Sequence, residues 1–141
     1  MSHLEIFDSF IGLYGENKFC QALNAECVSF EQPPFYGNNM FNSPFETCCT
    51  RIACSNEICQ KLNFSKEEMY AMIAHEIGHI FYKTREIDSP VLDREKMADS
   101  MAILFGLKDE LSSALQKIID SGEYEDVKDD LYKRIEYLSQ P

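Results

Sequence analysis

Two histidines and a glutamate form the pattern HExxH in the run His75-Glu76-Ile77-Gly78-His79. Four residues advance a helix by about 400°, so both histidines would lie on one face, about 6 Å apart, and could bind one metal ion. Glu76 is turned by about 100° from His75, which places its carboxylate beside the metal, where it can hold a water molecule and take its proton. The spacing therefore predicts metal-assisted hydrolysis, with His75 and His79 as ligands and Glu76 as general base.

A catalytic zinc site of this kind needs a third protein ligand and an open position for water. Downstream, two carboxylates and two small residues recur at helical spacing and would let another helix approach closely: Glu95, Ala98, Asp99 and Ala102. We predict that Glu95 completes the metal site and that Asp99, one turn later, orients a ligating imidazole. The alternative is a ligand from the acidic residues nearer to the histidines, which are Glu86, Asp88 and Asp93.

The helix that carries the motif is predicted to be buried and closely packed. Ser65 and Glu68 have the spacing of a capping box, and the helix that they open runs to about Tyr82. Glycine within a helix costs about 1 kcal/mol relative to alanine, so Gly78 predicts that another element packs very close to this turn. The alternative is a buried helix whose two histidines are hydrogen-bonded core residues without a metal.

The other elements are predicted from apolar periodicity and from turn residues. A second long helix has Ser89 as N-cap, Pro90 at its first position and Gly106 just after its end. Two later helices carry the apolar stripes that begin at Leu111 and Val127. Upstream, we predict helices over residues 2–14, 19–23 and 57–62, strands over 27–30 and 47–54, and a long loop over 33–44.

The composition is typical of one domain with a single core. The chain has 141 residues, of which 45% are hydrophobic, and we predict one domain over residues 1–141. A net charge of −11 argues against binding to nucleic acid or to an anionic membrane surface. Without an apolar run of about 18 residues or a signal peptide, we expect a cytoplasmic protein with no membrane partner. Its six cysteines are therefore predicted to be reduced thiols.

With these motifs, the sequence resembles the gluzincin metallopeptidases, which pair HExxH with a downstream ExxxD, here Glu95 to Asp99. The run from Ile52 into SKEEMYAMIAHEIGHI is similar to the soluble core of the minigluzincins and of the CAAX-processing and heat-shock membrane proteases. The segment EKMADSMA resembles the ImmA/IrrE-like peptidases that cleave repressors. The resemblance covers about residues 47–106. It implies an α+β, zincin-like domain, in which a small β-sheet packs on a buried metal-binding helix and additional helices follow toward the C-terminus.

The resemblance also implies an activity, the zinc-dependent hydrolysis of a peptide or protein substrate. Zn²⁺ would be held by His75, His79 and Glu95, while Glu76 would serve as base to the water and then as proton donor to the leaving amine. The strand over residues 48–54 resembles the edge strand along which zincins lay an extended substrate.

Two departures from known zinc peptidases limit what the motifs imply. A metzincin is excluded, because Tyr82 and Arg85 stand where that class requires glycine and histidine. The one further histidine is His3, so an oxyanion-stabilising histidine downstream of the site is missing. Candidates for that role are Tyr82, Tyr132, Tyr137 and Arg94. The missing histidine favours a second hypothesis, a peptide-binding or regulatory module of zincin fold with little or no turnover, whereas the general base Glu76 favours an enzyme.

Overall fold

The structure is a computed structural model that describes residues 3–24, 29–31, 43–48 and 50–141. These residues are mostly helical and include a small sheet, which confirms the broad α+β class. The helices are α1 (His3–Tyr14), α2 (Lys18–Asn24), α3 (Asn56–Lys61), α4 (Lys66–Phe81), α5 (Val91–Leu104), α6 (Lys108–Asp120) and α7 (Lys128–Leu138). The strands are β1 (Ser29–Glu31), β2 (Phe45–Cys48) and β3 (Arg51–Cys54), and short 3₁₀ turns lie at Thr84–Glu86 and Glu125–Val127.

Helix α4 lies at the centre of the molecule. Its predicted capping box is present, since the Ser65 hydroxyl accepts from the Glu68 amide and the Glu68 carboxylate accepts from the Ser65 amide. Every residue from Glu68 to Gly78 is buried, and α4 packs against α5, α6 and β2. Because α4 is enclosed on all these sides, a polar side chain on it needs a hydrogen-bond partner or a ligand.

Gly78 is the point at which α4 lies against the backbone of α5. A Cβ atom added to Gly78 would stand 2.5 Å from the Ala98 carbonyl oxygen and 2.8 Å from the Ala98 Cα. This contact confirms that another element packs close to the glycine turn, and it explains why a helix-destabilising residue stands there. It also holds together the two helices that carry the candidate metal ligands.

Gly78→Ala is expected to lower the free energy of unfolding by roughly 1–3 kcal/mol, because the added methyl group must push the α5 backbone away. Gly12→Ala is the matched control, since Gly12 also lies within a helix but a Cβ there would meet no atom within 4 Å. That variant should be stabilised by up to about 1 kcal/mol through helix propensity. Urea unfolding followed by circular dichroism measures both values, and equal effects would contradict the close helix contact.

The sheet has the order β1-β3-β2, with β1 parallel and β2 antiparallel to β3. The prediction of one strand over residues 47–54 is wrong, because the chain reverses after Cys48 and this residue pairs with Arg51. Sequence analysis missed the reversal because none of the usual turn residues, glycine, proline or asparagine, marks it. Among the described strands, β3 is therefore central and β2 lies at the edge. Strand β1 begins at Ser29, and position 27 lies outside the described residues.

The predicted helices are present, with a different start for α5. The expectation that Ser89 caps this helix is wrong: the Pro90 carbonyl accepts the first helical hydrogen bond, from the Arg94 amide, so Pro90 is the N-cap and the helix begins at Val91. Gly106 follows its end with a φ of 75°, as predicted for a helix C-terminus. Most of the loop predicted over residues 33–44 lies outside the described residues.

Two observations bear on the expectations about cysteines and membranes. Cys20, Cys54 and Cys59 are free thiols, as predicted, while the structure does not describe the side chains of the other three cysteines. The Cys54 and Cys59 sulfur atoms lie 3.9 Å apart in the core. In the described ranges, no helix combines the length and the apolar character needed to span a bilayer.

Candidate metal centre

His75 and His79 of α4 and Glu95 of α5 form a compact cluster. The two Nε2 atoms of the histidines lie 3.1 Å apart, and Glu95 Oε2 lies 3.0 Å from His75 Nε2 and 3.4 Å from His79 Nε2. A group of this geometry can hold a metal ion. The structure thus brings together the three residues that the sequence pattern assigned to metal binding. The alternative acidic residues, Glu86, Asp88 and Asp93, are not part of this group.

Each histidine has a buried partner on its other ring nitrogen. His75 Nδ1 lies 2.7 Å from Asp99 Oδ1, and His79 Nδ1 lies 2.7 Å from the Thr84 hydroxyl oxygen. Asp99 is 0% exposed and Thr84 is 1% exposed. Because an ionised carboxylate can only accept, His75 Nδ1 donates, and its Nε2 presents a lone pair to the cluster when the ring is neutral. Asp99 therefore lies where the sequence analysis placed it, behind the imidazole of a candidate ligand.

Arg134 of α7 is a buried member of the site that sequence analysis missed. Its Nε and Nη2 atoms donate to Asp99 Oδ2 and Oδ1 at 2.9 and 2.8 Å, and its Nη1 lies 3.7 Å from Glu95 Oε2. One guanidinium group thus connects α7 to two carboxylates of α5, those of Glu95 and Asp99. A signal was present: Arg134 stands three residues after Leu131 and four before Leu138, on the apolar stripe of α7 where a charged residue is unusual.

Neighbouring charges and hydrogen bonds keep the carboxylates of Glu95 and Asp99 ionised. Burial opposes ionisation of Asp99, but the Arg134 guanidinium and the hydrogen bonds that Asp99 accepts hold its pKa below the usual value. Burial also opposes ionisation of Glu95, and hydrogen bonds from His75 and His79 outweigh it and lower the pKa of Glu95. For His75, desolvation and Arg134 lower the pKa, yet bonding to Asp99 and Glu95 raises it to about 10. A metal ion that binds Nε2 of His75 would therefore displace a proton.

Glu76 lies beside the cluster and is held in place by the edge strand. The Thr47 hydroxyl of β2 donates to Glu76 Oε2, whereas Glu76 Oε1 lies 3.9 Å from His75 Nε2. The residue is 5% exposed. One carboxylate oxygen is thus anchored and the other faces the ligands, which is the arrangement expected of a proton acceptor next to a metal. Sequence analysis missed Thr47, because a threonine in a strand carries no signal of its own.

The cluster opens into a cleft of about 600 Å³, within the size range of ligand-binding sites. Strand β2 forms one wall and the start of α5 forms another. Apolar residues of α6 and both charged and apolar residues of α7, which are Asp130, Leu131 and Arg134, also line it. Of the four candidates for oxyanion stabilisation, Arg94 lines this cleft. Tyr132 is exposed at the surface, and the Tyr137 hydroxyl is 2.7 Å from the Ser100 hydroxyl.

Comparison with models of known protein families, with curated proteins and with solved structures found no match. The resemblance to gluzincin and ImmA/IrrE-like peptidases therefore stays a hypothesis that depends on the motifs of α4 and α5. What the site does is inferred from its own geometry.

Proposed function

We propose that the chain is a zinc-dependent metallopeptidase of zincin-like fold that hydrolyses peptide bonds. The observation that carries the proposal is the convergence of His75, His79 and Glu95 with the anchored carboxylate of Glu76 directly beside them. The three ligand atoms leave an open side toward the cleft, where water and a substrate carbonyl can enter.

The distances between the ligand atoms are short enough for one metal ion of the size of zinc to bind all three. Atoms bound about 2.0–2.1 Å from a tetrahedral zinc ion lie roughly 3.3–3.4 Å apart. The corresponding distances here are 3.0, 3.1 and 3.4 Å. Two histidines and a carboxylate also bind iron(II) in oxygenases, but the carboxylate of Glu76, placed to accept a proton, is a feature of hydrolysis.

Each residue at the site has a separate role in the proposed hydrolysis. A bound zinc ion would polarise the scissile carbonyl and acidify the attacking water. Glu76 Oε1 takes the proton of that water, while the Thr47 hydroxyl keeps Oε2 in place. When the carbon–nitrogen bond breaks, Glu76 returns the proton to the leaving amine, which becomes the new N-terminus. Asp99 and Thr84 keep the imidazole rings oriented throughout.

The edge position of β2 supports a peptide as the substrate. An edge strand offers main-chain groups with which an extended peptide can pair, and Phe45, Glu46 and Thr47 of β2 line the cleft. Arg85 donates to the Thr47 carbonyl oxygen, so a peptide that pairs at this position must displace its side chain. The sequence-based assignment of the substrate strand to residues 48–54 is thus replaced by β2.

The second hypothesis, a zincin-fold module that binds peptides without cleaving them, also fits a cleft beside an edge strand. It gives no reason for a nearly buried carboxylate that is fixed by a hydroxyl and points at the metal ligands. The orientation of Glu76 therefore favours the enzyme.

The proposal is tested with the purified protein and an unbiased peptide library. Metal content is measured by elemental analysis, and cleavage is followed by mass spectrometry with and without a chelator. We expect about one zinc per chain, and cleavage that stops with the chelator and returns on addition of zinc. Cleavage that persists in metal-free protein, or a zinc-loaded protein that cleaves no library member, would rule out the proposed activity, and bound iron would rule out the assignment of zinc.

A further inference from the structure

The arginines of this chain are concentrated at the cleft. The sequence has four arginines among its 13 basic residues, and three of them, Arg85, Arg94 and Arg134, line the cleft. None of the nine lysines, all in described parts of the chain, lines it. Arginine differs from lysine in its planar fork of donors, which matches the two oxygens of a carboxylate. The distribution is notable in a chain with a net charge of −11.

Two of the three arginines already have partners. Arg134 is paired with Asp99 and approaches Glu95, and Arg85 donates to the Thr47 carbonyl oxygen. Arg94 makes no ion pair or hydrogen bond with the described part of the chain, and its buried Nε has no hydrogen-bond partner. An unpaired buried donor costs free energy, so it calls for a ligand or an ordered water.

Arg94 lines the same cleft as the residues of the proposed reaction centre. Val91, Arg94 and Glu95 all line the cleft, at the spacing that brings residues to one side of α5. Arg94 directly precedes the ligand Glu95, so their Cα atoms are about 3.8 Å apart. A peptide that fills this cleft and reaches Glu95 would therefore also meet the side chain of Arg94.

We propose that Arg94 is a specificity-determining residue that binds a carboxylate of the peptide substrate near the scissile bond. The inference rests on the proposed function, because it takes the peptide as substrate. The carboxylate comes either from the C-terminus of the peptide or from an acidic side chain, and both would accept two parallel hydrogen bonds from the guanidinium fork. Arg134 cannot replace Arg94 without giving up Asp99, and Arg85 Nη2 already donates to the Thr47 carbonyl oxygen.

The test measures peptide binding to a variant that is expected to bind peptides without cleaving them. Zinc-loaded protein with Glu76→Gln is exposed to three pools of hexapeptides of matched random sequence. The first pool ends in a free carboxylate and has no acidic side chain, the second ends in an amide, and the third ends in an amide and carries one glutamate at a varied position. Affinity selection with mass spectrometry gives the enrichment of each carboxylate pool over the amide pool, which also identifies the source of the carboxylate.

Three further substitutions are combined with this background: Arg94→Ala, Arg94→Lys and, as a charge-matched control, Lys66→Ala. Lys66 is exposed at the start of α4, outside the cleft lining. We expect one carboxylate pool to be enriched about 10- to 100-fold, the value of a charge-assisted bidentate contact. Arg94→Ala should abolish this enrichment, Arg94→Lys should retain part of it, and Lys66→Ala should leave it unchanged.

The pattern of failure separates this inference from the proposed function. Loss of stability lowers the binding of all pools together, so it does not change the enrichment ratio. A ratio that is unchanged in Arg94→Ala, or a ratio of one in the background protein, overturns the carboxylate-binding role. If Arg94 instead stabilises the oxyanion, the background protein should bind the carboxylate and amide pools equally, which gives a ratio of one. If the ratio depends on Arg94 but the protein with native Glu76 cleaves none of the pools, the peptidase activity is wrong and the carboxylate site stands.

Discussion

Glu76→Gln is expected to lower the rate of peptide hydrolysis by about 10² to 10⁴, the usual contribution of a positioned proton-transfer group. Glutamine keeps the shape of the side chain, and its amide oxygen can still accept from the Thr47 hydroxyl that holds Glu76 Oε2. What it loses is the ability to take a proton from water. Zinc content should therefore stay at about one per chain, measured by elemental analysis, while kcat/KM on a peptide identified from the library falls.

Two companion variants define the meaning of this result. Thr47→Val removes the anchor of Glu76 but keeps its carboxylate, so we expect a smaller loss, about 10- to 100-fold, with zinc retained. His75→Ala should lose metal and activity together, because His75 Nε2 is one of the three ligand atoms. If Glu76→Gln cleaves as fast as the native protein, Glu76 is not the general base. If it loses zinc instead, Glu76 is a ligand and the geometry assigned here is wrong.

Removal of the Glu95 carboxylate is expected to weaken zinc binding far more than a change at Asp99, because Glu95 presents its oxygen to both histidines. Asp99 acts through the His75 ring, and partners of that kind typically change metal affinity by about 10- to 100-fold. Glu95→Ala should lower the zinc affinity by more than this factor. Competition with a chromophoric zinc chelator gives both affinities.

The contacts of Asp99 determine which substitution is informative there. Asp99→Ala would leave the buried Arg134 guanidinium without its main partner, and an uncompensated buried charge costs about 3–5 kcal/mol. Asp99→Asn keeps an oxygen that can accept from His75 Nδ1 and preserves the volume of the side chain. If Asp99→Asn loses its zinc while Glu95→Ala retains it, Asp99 is the ligand and the roles assigned to the two residues are reversed.

The placement of His75, His79 and Glu76 and the helix that carries them could be predicted from the sequence, because they depend on local geometry. A helix of fixed pitch puts residues 75 and 79 on one face and turns residue 76 away, whatever surrounds it. The Ser65 capping box and Gly106 mark helix ends through contacts within a few residues. Gly78 even indicated that another element comes close, although not which element or which residue it would meet.

The tertiary structure decided which parts of the chain complete the site. Glu95 joins the histidines, and Glu86, Asp88 and Asp93 do not, because α5 lies against α4 where Gly78 meets Ala98. The contacts of Arg134 and Thr47 join elements far apart in the sequence. That Arg94 Nε has no hydrogen-bond partner among the described residues is likewise visible only in the folded chain. Periodicity reports which residues share a face of one element, but the distance between two faces depends on packing throughout the core, which no local pattern encodes.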